Sequence, residues 1–277
     1  MGSGIGIETE KMADKKKIKL LMLSFPRQGT RWIVKNIETS SNITCSREHF
    51  NNLVPPAIKN DKINKVFGHQ KNIESIFNYD IDILNNIIEK CNKPFISENW
   101  SPNKIPELVG KTNIFIFYRH RYYTFPGTNP DSTKHIITTA ASCIKSIKTT
   151  HKEEIELIEE GKRLIKEDDI MLKATTLHII FFYFLLKDAT KYNIPVINWT
   201  DLMTKSVEEV DTIFSKIPGK VINTKTIAKN LIRSRKGNLD NKKKKYDKLG
   251  IEHKLSGIKE IINNSTFIDN DLKKILL

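Results

Sequence analysis

The stretch of residues 18–32 constrains the fold of this chain more than any other part of it. An apolar run at residues 18–23 ends in Ser-Phe-Pro, and a loop at residues 27–30 leads into a sequence compatible with a helix from Arg31. This order predicts a buried strand, a tight turn and a helix start. In a parallel sheet, ligands bind beyond the carboxyl ends of the strands, which is where such a turn would lie.

The predicted turn contains groups that bind phosphate. Backbone N–H groups at a helix N-terminus carry partial positive charge and have no partner within the helix. Arg27 adds a permanent positive charge, and Thr30 adds a hydroxyl donor. The turn is not a Walker A loop, because it lacks the Gly-Lys-Ser/Thr ending of that motif. An ordinary βα turn with a surface arginine is the alternative that this stretch alone leaves open.

Length and composition limit the classes of protein that fit. With 277 residues, 39% of them hydrophobic and 28% charged, the chain suits one large α/β domain or at most two small ones. A formal net charge of +14 favours anionic partners, although the abundance of Lys, Asn and Ile also indicates a compositional bias. The three cysteines form no Cys-x-x-Cys pair, so we expect no disulfide framework and no metal site. A reducing cytoplasm is the simplest compartment.

The N-terminal stretch and the most apolar run are both interpreted without a membrane. Residues 1–16 are expected to be a disordered lead-in or tag, with Met12 as a candidate native start, and residues 17–277 are expected to form the domain. The stretch has no apolar core of signal-peptide length. The most apolar run is residues 177–186, about half of the roughly 20 residues that a membrane span needs. We therefore expect a buried core helix there and no membrane span.

Strands and helices are predicted to alternate along the chain. After the first strand, short apolar signals predict strands at residues 65–69, 94–98, 113–118 and 195–199. Helical patterns occur at residues 32–40, 72–91, 136–147, 151–166, 170–192 and 206–217. Residues 122–134 are predicted to be a loop because of their Pro-Gly and Asn-Pro-Asp, and Ser206 and Glu209 form a capping-box pattern. The alternation predicts a single α/β domain with a mainly parallel central sheet flanked by helices on both faces.

The segment SFPRQGTRW at residues 24–32 resembles the phosphosulfate loop of sulfotransferases, whose usual form is TYPKSGTTW. The two agree at Pro26, Gly29, Thr30 and Trp32. They differ at Arg27, which replaces the usual lysine, and at Arg31. The resemblance implies binding of the sulfuryl donor 3′-phosphoadenosine 5′-phosphosulfate (PAPS) and release of adenosine 3′,5′-bisphosphate (PAP). Trp32 would then stack on the adenine. The residues implied in nucleotide binding are Arg27, Gln28, Gly29, Thr30, Arg31 and Trp32.

A second motif follows the predicted strand at residues 113–118. Arg119 stands where the sulfotransferase pattern YVxRNPxDVxVS has its arginine, and the resemblance implies that this arginine contacts the 3′-phosphate. The serine of the same pattern falls on Gly127, so the neighbouring Thr128 is the candidate in its place.

Two further segments extend the resemblance to about residues 18–237. The family carries RKGxxGDW late in the chain, and its Arg-Lys-Gly holds the 3′-phosphate. Glycine there lets the backbone approach the phosphate, and arginine offers a bidentate fork. Here Gly-Asp-Trp is missing and four lysines at residues 242–245 follow instead. Trp-Thr-Asp-Leu at residues 199–202 stands in place of the family's Tyr-Glu-Asp-Leu. The three residues that match the late motif are Arg235, Lys236 and Gly237.

The resemblance also implies a chemistry and a base. Sulfuryl transfer depends on positioning and on stabilising the charge that builds on the leaving group. Arg27 would do this electrostatically, since arginine does not readily give up a proton. Cytosolic relatives use a histidine base in patterns such as KTHLP, but the comparable stretch here is FISENWSP. Glu98 is therefore the first candidate for the base, as in some carbohydrate sulfotransferases, and His69 is its rival.

The sequence leaves the acceptor and two other functions open. The acceptor is expected to be a small molecule with a hydroxyl or amine, alkaloids and other natural products included, bound by loops at residues 45–61 and 122–134. A kinase-like nucleotide-binding enzyme is one alternative, weakened by the absence of Gly-Lys-Ser/Thr from the turn. A nucleic-acid-binding protein is the other, favoured by the net charge and disfavoured by the lack of a recognised motif, so that no nucleic acid is expected.

Overall fold

A parallel sheet lies at the centre of the described chain. This computed structural model describes residues 20–25, 28–47, 91, 93–98, 112–125, 130–145, 147–217, 222–235 and 238–277. The strands within them are β1 (Leu20–Ser24), β2 (Cys45–Arg47), β3 (Phe95–Glu98), β4 (Asn113–Tyr118) and β5 (Val196–Asn198). They form one sheet in the order β2-β3-β1-β4-β5, and every pairing is parallel. β1 is therefore the central strand, with β3 and β4 beside it.

Helices connect and cover these strands. In chain order they are α1 (Thr30–Ser41), α2 (Arg121–Thr124), α3 (Pro130–Lys145), α4 (Lys152–Leu164), α5 (Ile170–Tyr192), α6 (Trp199–Thr204), α7 (Val207–Ser215), α8 (Thr224–Arg233), α9 (Leu239–Asp247), α10 (Ser256–Asn264) and α11 (Asn270–Leu276), with a 3₁₀ helix at Glu252–Leu255. The predicted capping box begins α7, since the Ser206 hydroxyl and the Glu209 carboxylate each accept from the other's backbone N–H. Asp169 begins α5 by accepting two backbone hydrogen bonds, and Asn193 ends it in the left-handed conformation.

Each face of the sheet has its own apolar core, because successive strand residues point to opposite faces. Leu20 and Met22 of β1 face a core that α1, α6, α7 and α8 cover. Leu21 and Leu23 face a second core, which α3, α4, α5, α10 and α11 cover. Helices on both faces of a parallel sheet confirm the predicted α/β fold.

The predicted core helix is confirmed as α5, and its bounds agree with the prediction. By length and composition alone α5 could cross a membrane, but 78% of its most apolar window is buried inside the protein. Its side chains fill the core between the sheet and the outer helices α4 and α11. This is the environment expected of a helix that is apolar around most of its surface.

Several predictions of local structure are wrong. The loop predicted at residues 122–134 contains helix at both ends: α2 begins where the His120 ring accepts from the N–H of Tyr122, and α3 begins at Pro130, a residue that suits the first turn of a helix. Trp199, predicted to end a strand, begins α6. The strand β2 and the helices after residue 222 were not predicted. The lead-in predicted at residues 1–16 and the strand predicted at residues 65–69 lie outside the described residues, as does all of the helix predicted at residues 72–91 except residue 91.

Candidate functional site

The turn after β1 lies at the carboxyl edge of the sheet, beside its central strand. Gly29 has φ 90° and ψ 23°, a left-handed conformation that favours glycine. Its carbonyl oxygen accepts from the N–H groups of Trp32 and Ile33. The first two N–H groups of α1, those of Thr30 and Arg31, have no acceptor within the helix and form the positive end of its dipole. The turn therefore has the backbone geometry of an anion site.

Arg119 follows β4 directly, and its guanidinium faces this turn. Nη1 lies 3.9 Å from the position that a Cβ atom on Gly29 would occupy, and Cζ lies 4.3 Å from the centroid of the Trp199 ring. Its Nε is buried without a hydrogen-bond partner, and no carboxylate of the described residues pairs with the guanidinium. Burial lowers the pKa of Arg119 to about 10, so the side chain is a cation at neutral pH.

Trp199 forms a wall of the same site. It is the first residue of α6, directly after β5, and Asn198 is the N-cap of that helix. The indole Nε1 lies 4.0 Å from the Cβ position above Gly29, and the ring of Tyr123 is 5.5 Å from that of Trp199. Because β1, β4 and β5 are neighbours and parallel, the residues at their carboxyl ends meet at one edge of the sheet.

Gln28 joins the turn to the end of β4 through its side chain, which is fully buried. Its amide oxygen accepts from the backbone N–H of Arg119, and its amide nitrogen donates to the Thr124 hydroxyl at 3.1 Å. The same nitrogen lies 3.2 Å from Nε2 of His178. The sequence predicts Gln28 as a ligand contact, but its side chain faces the protein interior, so that only its backbone faces the turn. The side chain fixes the distance between the Gly29 turn and Arg119.

His178 supports this connection from the central helix α5. Its Nε2 lies 3.2 Å from the carbonyl oxygen of Arg119, while Nδ1 is buried without a hydrogen bond. The rings of Phe25 and Phe182 pack on the imidazole at centroid distances of 5.1 Å and 4.8 Å. Burial, and then the charge of Arg121, lowers the pKa of His178 to about 3. The imidazole is therefore neutral at physiological pH, and a proton on Nε2 lets it donate to the Arg119 carbonyl.

The third predicted segment reaches the turn because α1 and α8 lie antiparallel. Asn230 donates to the Ser40 hydroxyl at 2.9 Å near the end of α1. At the start of α1, the indole N–H of Trp32 donates to the Ser234 hydroxyl, also at 2.9 Å. The chain that leaves α8 toward Arg235 therefore starts beside the first turn of α1.

Arg235 itself is bonded to the end of α6. Its Nε donates to the Leu202 carbonyl at 2.8 Å, and Nη2 donates to the Lys205 carbonyl. These are carbonyl groups for which the end of the helix provides no N–H donor. Burial lowers the pKa of Arg235, and its Nη1 makes no hydrogen bond to the described residues. Arg235 therefore fixes the helix that carries Trp199, in addition to the ligand role that the resemblance implies.

Glu98 is described in its backbone only. It ends β3 and pairs in register with Leu23 of β1, which puts its Cα at the carboxyl edge, next to the turn. Its side chain lies outside the described part of the chain. The other predicted site residues outside that part are Arg27, His69, Thr128, Lys236 and Gly237.

Lys242 is a site residue that the sequence prediction missed. Its Nζ lies 5.0 Å from the ring centroid of Trp199. Burial, and then the charge of Arg119, lowers the pKa of Lys242. The lysine run and the Trp-Thr-Asp-Leu motif were both visible in the sequence, but nothing in either one says which lysine meets the tryptophan.

The arrangement offers cations and N–H donors, and it is suited to an anion. Among the described residues, no group of three or more His, Cys, Asp or Glu side chains could hold a metal ion. A search of the sequence against models of known protein families finds no match, and neither does a search against curated proteins.

Proposed function

We propose that the protein is a sulfotransferase that moves a sulfuryl group from PAPS to a hydroxyl or amine of a small-molecule acceptor. The observation that carries the proposal is the convergence of three segments that the resemblance identifies separately in the sequence. These are the turn at residues 28–32, Arg119 after β4, and the chain that leaves α8 at Ser234. All three lie at the carboxyl edge of the sheet, where α/β proteins bind their ligands.

The charges at this edge suit a nucleotide with two separated phosphates. The N-terminus of α1 and the Gly29 turn would hold the 5′-phosphosulfate. Arg119, which has no carboxylate partner among the described residues, would hold the 3′-phosphate together with the segment from Arg235. Trp32 lies in the first turn of α1, where its indole N–H donates to Ser234, and it would offer an aromatic face to the adenine.

The transfer would proceed by in-line attack. The acceptor oxygen or nitrogen forms a bond to sulfur, and the bond between sulfur and the bridging oxygen of the phosphosulfate breaks. The electron pair stays on the 5′-phosphate of PAP, where Arg27 and the backbone N–H groups of the turn stabilise the added negative charge. The acceptor's proton passes to a base.

Glu98 is the proposed base. A carboxylate with an ordinary pKa of about 4.3 is a weak base for an alcohol, and an apolar setting raises that pKa. Its neighbours in β3, Phe95 and Ile96, are buried on opposite faces of the sheet. A carboxylate would also attract an ammonium or guanidinium acceptor, which a histidine cation would repel. This favours basic natural products such as alkaloids as acceptors.

Binding of defined nucleotides tests the donor. Titration calorimetry should show PAP binding tighter than 5′-AMP by on the order of 10- to 100-fold. This is the gain in affinity expected from the charged hydrogen bonds to one additional phosphate. Equal affinities for the two nucleotides would contradict the two-phosphate site. Tighter binding of ATP with Mg²⁺ would support a kinase-like enzyme, and tighter binding of a single-stranded oligonucleotide would support a nucleic-acid-binding protein.

Turnover of two variants tests the base. Glu98→Gln should keep PAP affinity but lower sulfuryl transfer at saturating PAPS by a factor on the order of 10²–10⁴. His69→Ala should do less. Mass spectrometry of a panel of phenols, alcohols, sugars and alkaloids would identify the sulfated acceptor for this assay. The opposite order of the two variants would identify His69 as the base.

A further inference from the structure

The lysine run in α9, residues 242–245, is divided by the geometry of the helix. Tyr246 is buried and anchors α9 by donating a 2.6 Å hydrogen bond to Glu252. Residues four apart are neighbours on a helix, so Lys242 lies one turn earlier on the same inward face. It is half-buried, whereas Lys244 is exposed. Packing of Tyr246 therefore selects one lysine of the run for the site.

Lys242 shares the Trp199 ring with Arg119. The ammonium nitrogen lies 5.0 Å from the ring centroid and the guanidinium carbon 4.3 Å from it. Among the described residues neither cation has a carboxylate partner, whereas Lys243, the next residue, donates to Asp247 at 3.0 Å. The aromatic ring attracts both cations, but it carries no net charge to neutralise them.

Two cations held close together without an anion are costly unless a ligand supplies the missing charge. Two like charges beside one ring repel each other, and the charge of Arg119 accordingly lowers the pKa of Lys242, after burial. The Nε1 of Trp199 adds an N–H donor that makes no hydrogen bond within the described part of the chain. The Trp199 ring thus has two positive charges beside it and carries a neutral N–H donor.

We propose that Lys242 and Arg119 form a two-cation clamp on Trp199 that selects a phosphomonoester dianion. A phosphomonoester carries about −1.5 to −2 charges at pH 7, which two cations match better than one. The inference rests on the proposed function, in which this dianion is the 3′-phosphate of the nucleotide. Lys242 is then the residue that makes the site specific for a 3′-phosphorylated nucleotide over one with a free 3′-hydroxyl.

A purely structural role for Lys242 predicts a different outcome. Its aliphatic stem would pack on Trp199 while its charge served only solubility. Removing the charge would then affect the folded state and every ligand equally. The clamp instead predicts an effect confined to ligands with a second phosphate.

The test uses three variants of the full chain and two nucleotides. Lys242→Gln removes the charge of the clamp, Lys244→Gln removes the same charge from the exposed face of the same helix, and Lys242→Arg keeps the charge. Titration calorimetry at fixed ionic strength measures the Kd of PAP and of 5′-AMP for each. Lys242→Gln should weaken PAP by on the order of 10-fold or more and leave 5′-AMP within about 2-fold. The other two variants should resemble the wild type.

The outcomes separate the clamp from the sulfotransferase proposal. A wild type that prefers PAP, with Lys242→Gln no different from Lys244→Gln, would overturn the clamp and leave the proposed function standing. A wild type with no preference would overturn the proposed function, and inorganic phosphate would then decide the clamp. Thermal stabilisation by phosphate, relative to chloride at equal ionic strength, should occur in wild type and Lys244→Gln but not in Lys242→Gln. The same stabilisation in all three, or in none, would overturn the clamp.

Discussion

Two arginines, separated by one residue at the end of β4, have opposite surroundings. Arg121 is fully buried, and four of the five N–H groups of its guanidinium donate to oxygen atoms. Glu252 accepts two of these hydrogen bonds at 2.8 Å and 3.1 Å, and the backbone carbonyls of Leu276 and Leu277 accept at 2.7 Å and 2.6 Å. The ring nitrogen of His120 lies 2.8 Å away. Arg119, by contrast, has a buried Nε that makes no hydrogen bond to any residue of the described ranges.

The carboxylate of this pair is also well satisfied. Burial alone would raise the pKa of Glu252, but hydrogen bonds and charge from Arg121, with Lys259 and Tyr246, lower it to about 2. These bonds connect the end of β4 with α9, the 3₁₀ helix and α11. A buried charge that the protein itself neutralises fixes structure, whereas one that it leaves unneutralised is available to a ligand. Arg121 therefore has a structural role, whereas Arg119 has a charge that the described residues do not neutralise and that is open to a ligand.

Replacing each arginine by leucine should give the largest contrast. Arg121→Leu removes two of the hydrogen bonds to Glu252, which keeps those from Tyr246 and Lys259. It also removes the donor to two backbone carbonyls, so it should lower the free energy of unfolding by on the order of 3 kcal/mol. Arg119→Leu removes a cation that has no carboxylate partner among the described residues, and it should change the free energy of unfolding by less than about 1 kcal/mol. Urea denaturation followed by circular dichroism measures both. Equal losses would contradict the division into structural and functional arginines.

Nucleotide binding, unlike stability, should depend strongly on Arg119. Arg119→Ala should weaken PAP binding by about 1.5–3 kcal/mol, the range for hydrogen bonds to charged groups. Arg235→Ala should fall in the same range if that residue also contacts the 3′-phosphate. Lys229→Ala, an exposed residue of α8, is the matched control and should bind as the wild type. Unchanged PAP affinity in both arginine variants would count against the assignment of the 3′-phosphate site.

Acid should weaken the ion pair between Arg121 and Glu252. Because the folded-state pKa of Glu252 is about 2, below its ordinary value of 4.5, the stabilisation is present above pH 4.5 and is lost as the pH falls toward 2. About a quarter of the Glu252 side chain is exposed. Because solvent screens such a pair in part, we expect it to contribute about 2 kcal/mol to the free energy of unfolding. Glu252→Gln should be less stable at pH 7 and lose less stability than wild type between pH 4.5 and pH 2.5. Parallel pH curves for the two proteins would refute this role.

The Gln28 connection should have the smallest effect. Gln28→Leu leaves the Arg119 N–H without its acceptor and should lower the free energy of unfolding by about 1 kcal/mol. Because the turn and Arg119 are no longer held together, PAP affinity should fall a few-fold. Thr124→Val removes the Thr124 hydroxyl, with its hydrogen bonds to Gln28 and to the Arg119 and His120 carbonyls, but keeps the hydrogen bond from the Arg119 N–H to Gln28, so it should do less. Chemical denaturation and calorimetry on the same samples separate the two effects. Wild-type PAP affinity in Gln28→Leu would exclude a positioning role for this side chain.

Local sequence determined the main elements of the fold. The apolar run of β4 and the polar N-cap and C-cap of α5 and α7 are recorded in neighbouring residues, so their bounds could be predicted. The strand–turn–helix around Gly29 was also predicted, because glycine and the start of an amphipathic helix are local signals. Elements stabilised mainly by distant contacts were missed. β2 has three residues and exists because it pairs with β3, and α2 has four residues that pack against α9.

The same division runs through the candidate site. The sequence by itself determined that Gly29 and Arg119 follow apolar strands, and a parallel sheet places such positions at one edge. Only the tertiary structure decided how the charges there are partnered. Arg121 meets Glu252 across 131 positions of sequence, and Lys242 meets Trp199 because Tyr246 orients α9. Two arginines in the same motif are indistinguishable in sequence, since what separates them is which distant side chains neutralise one and leave the other for a ligand.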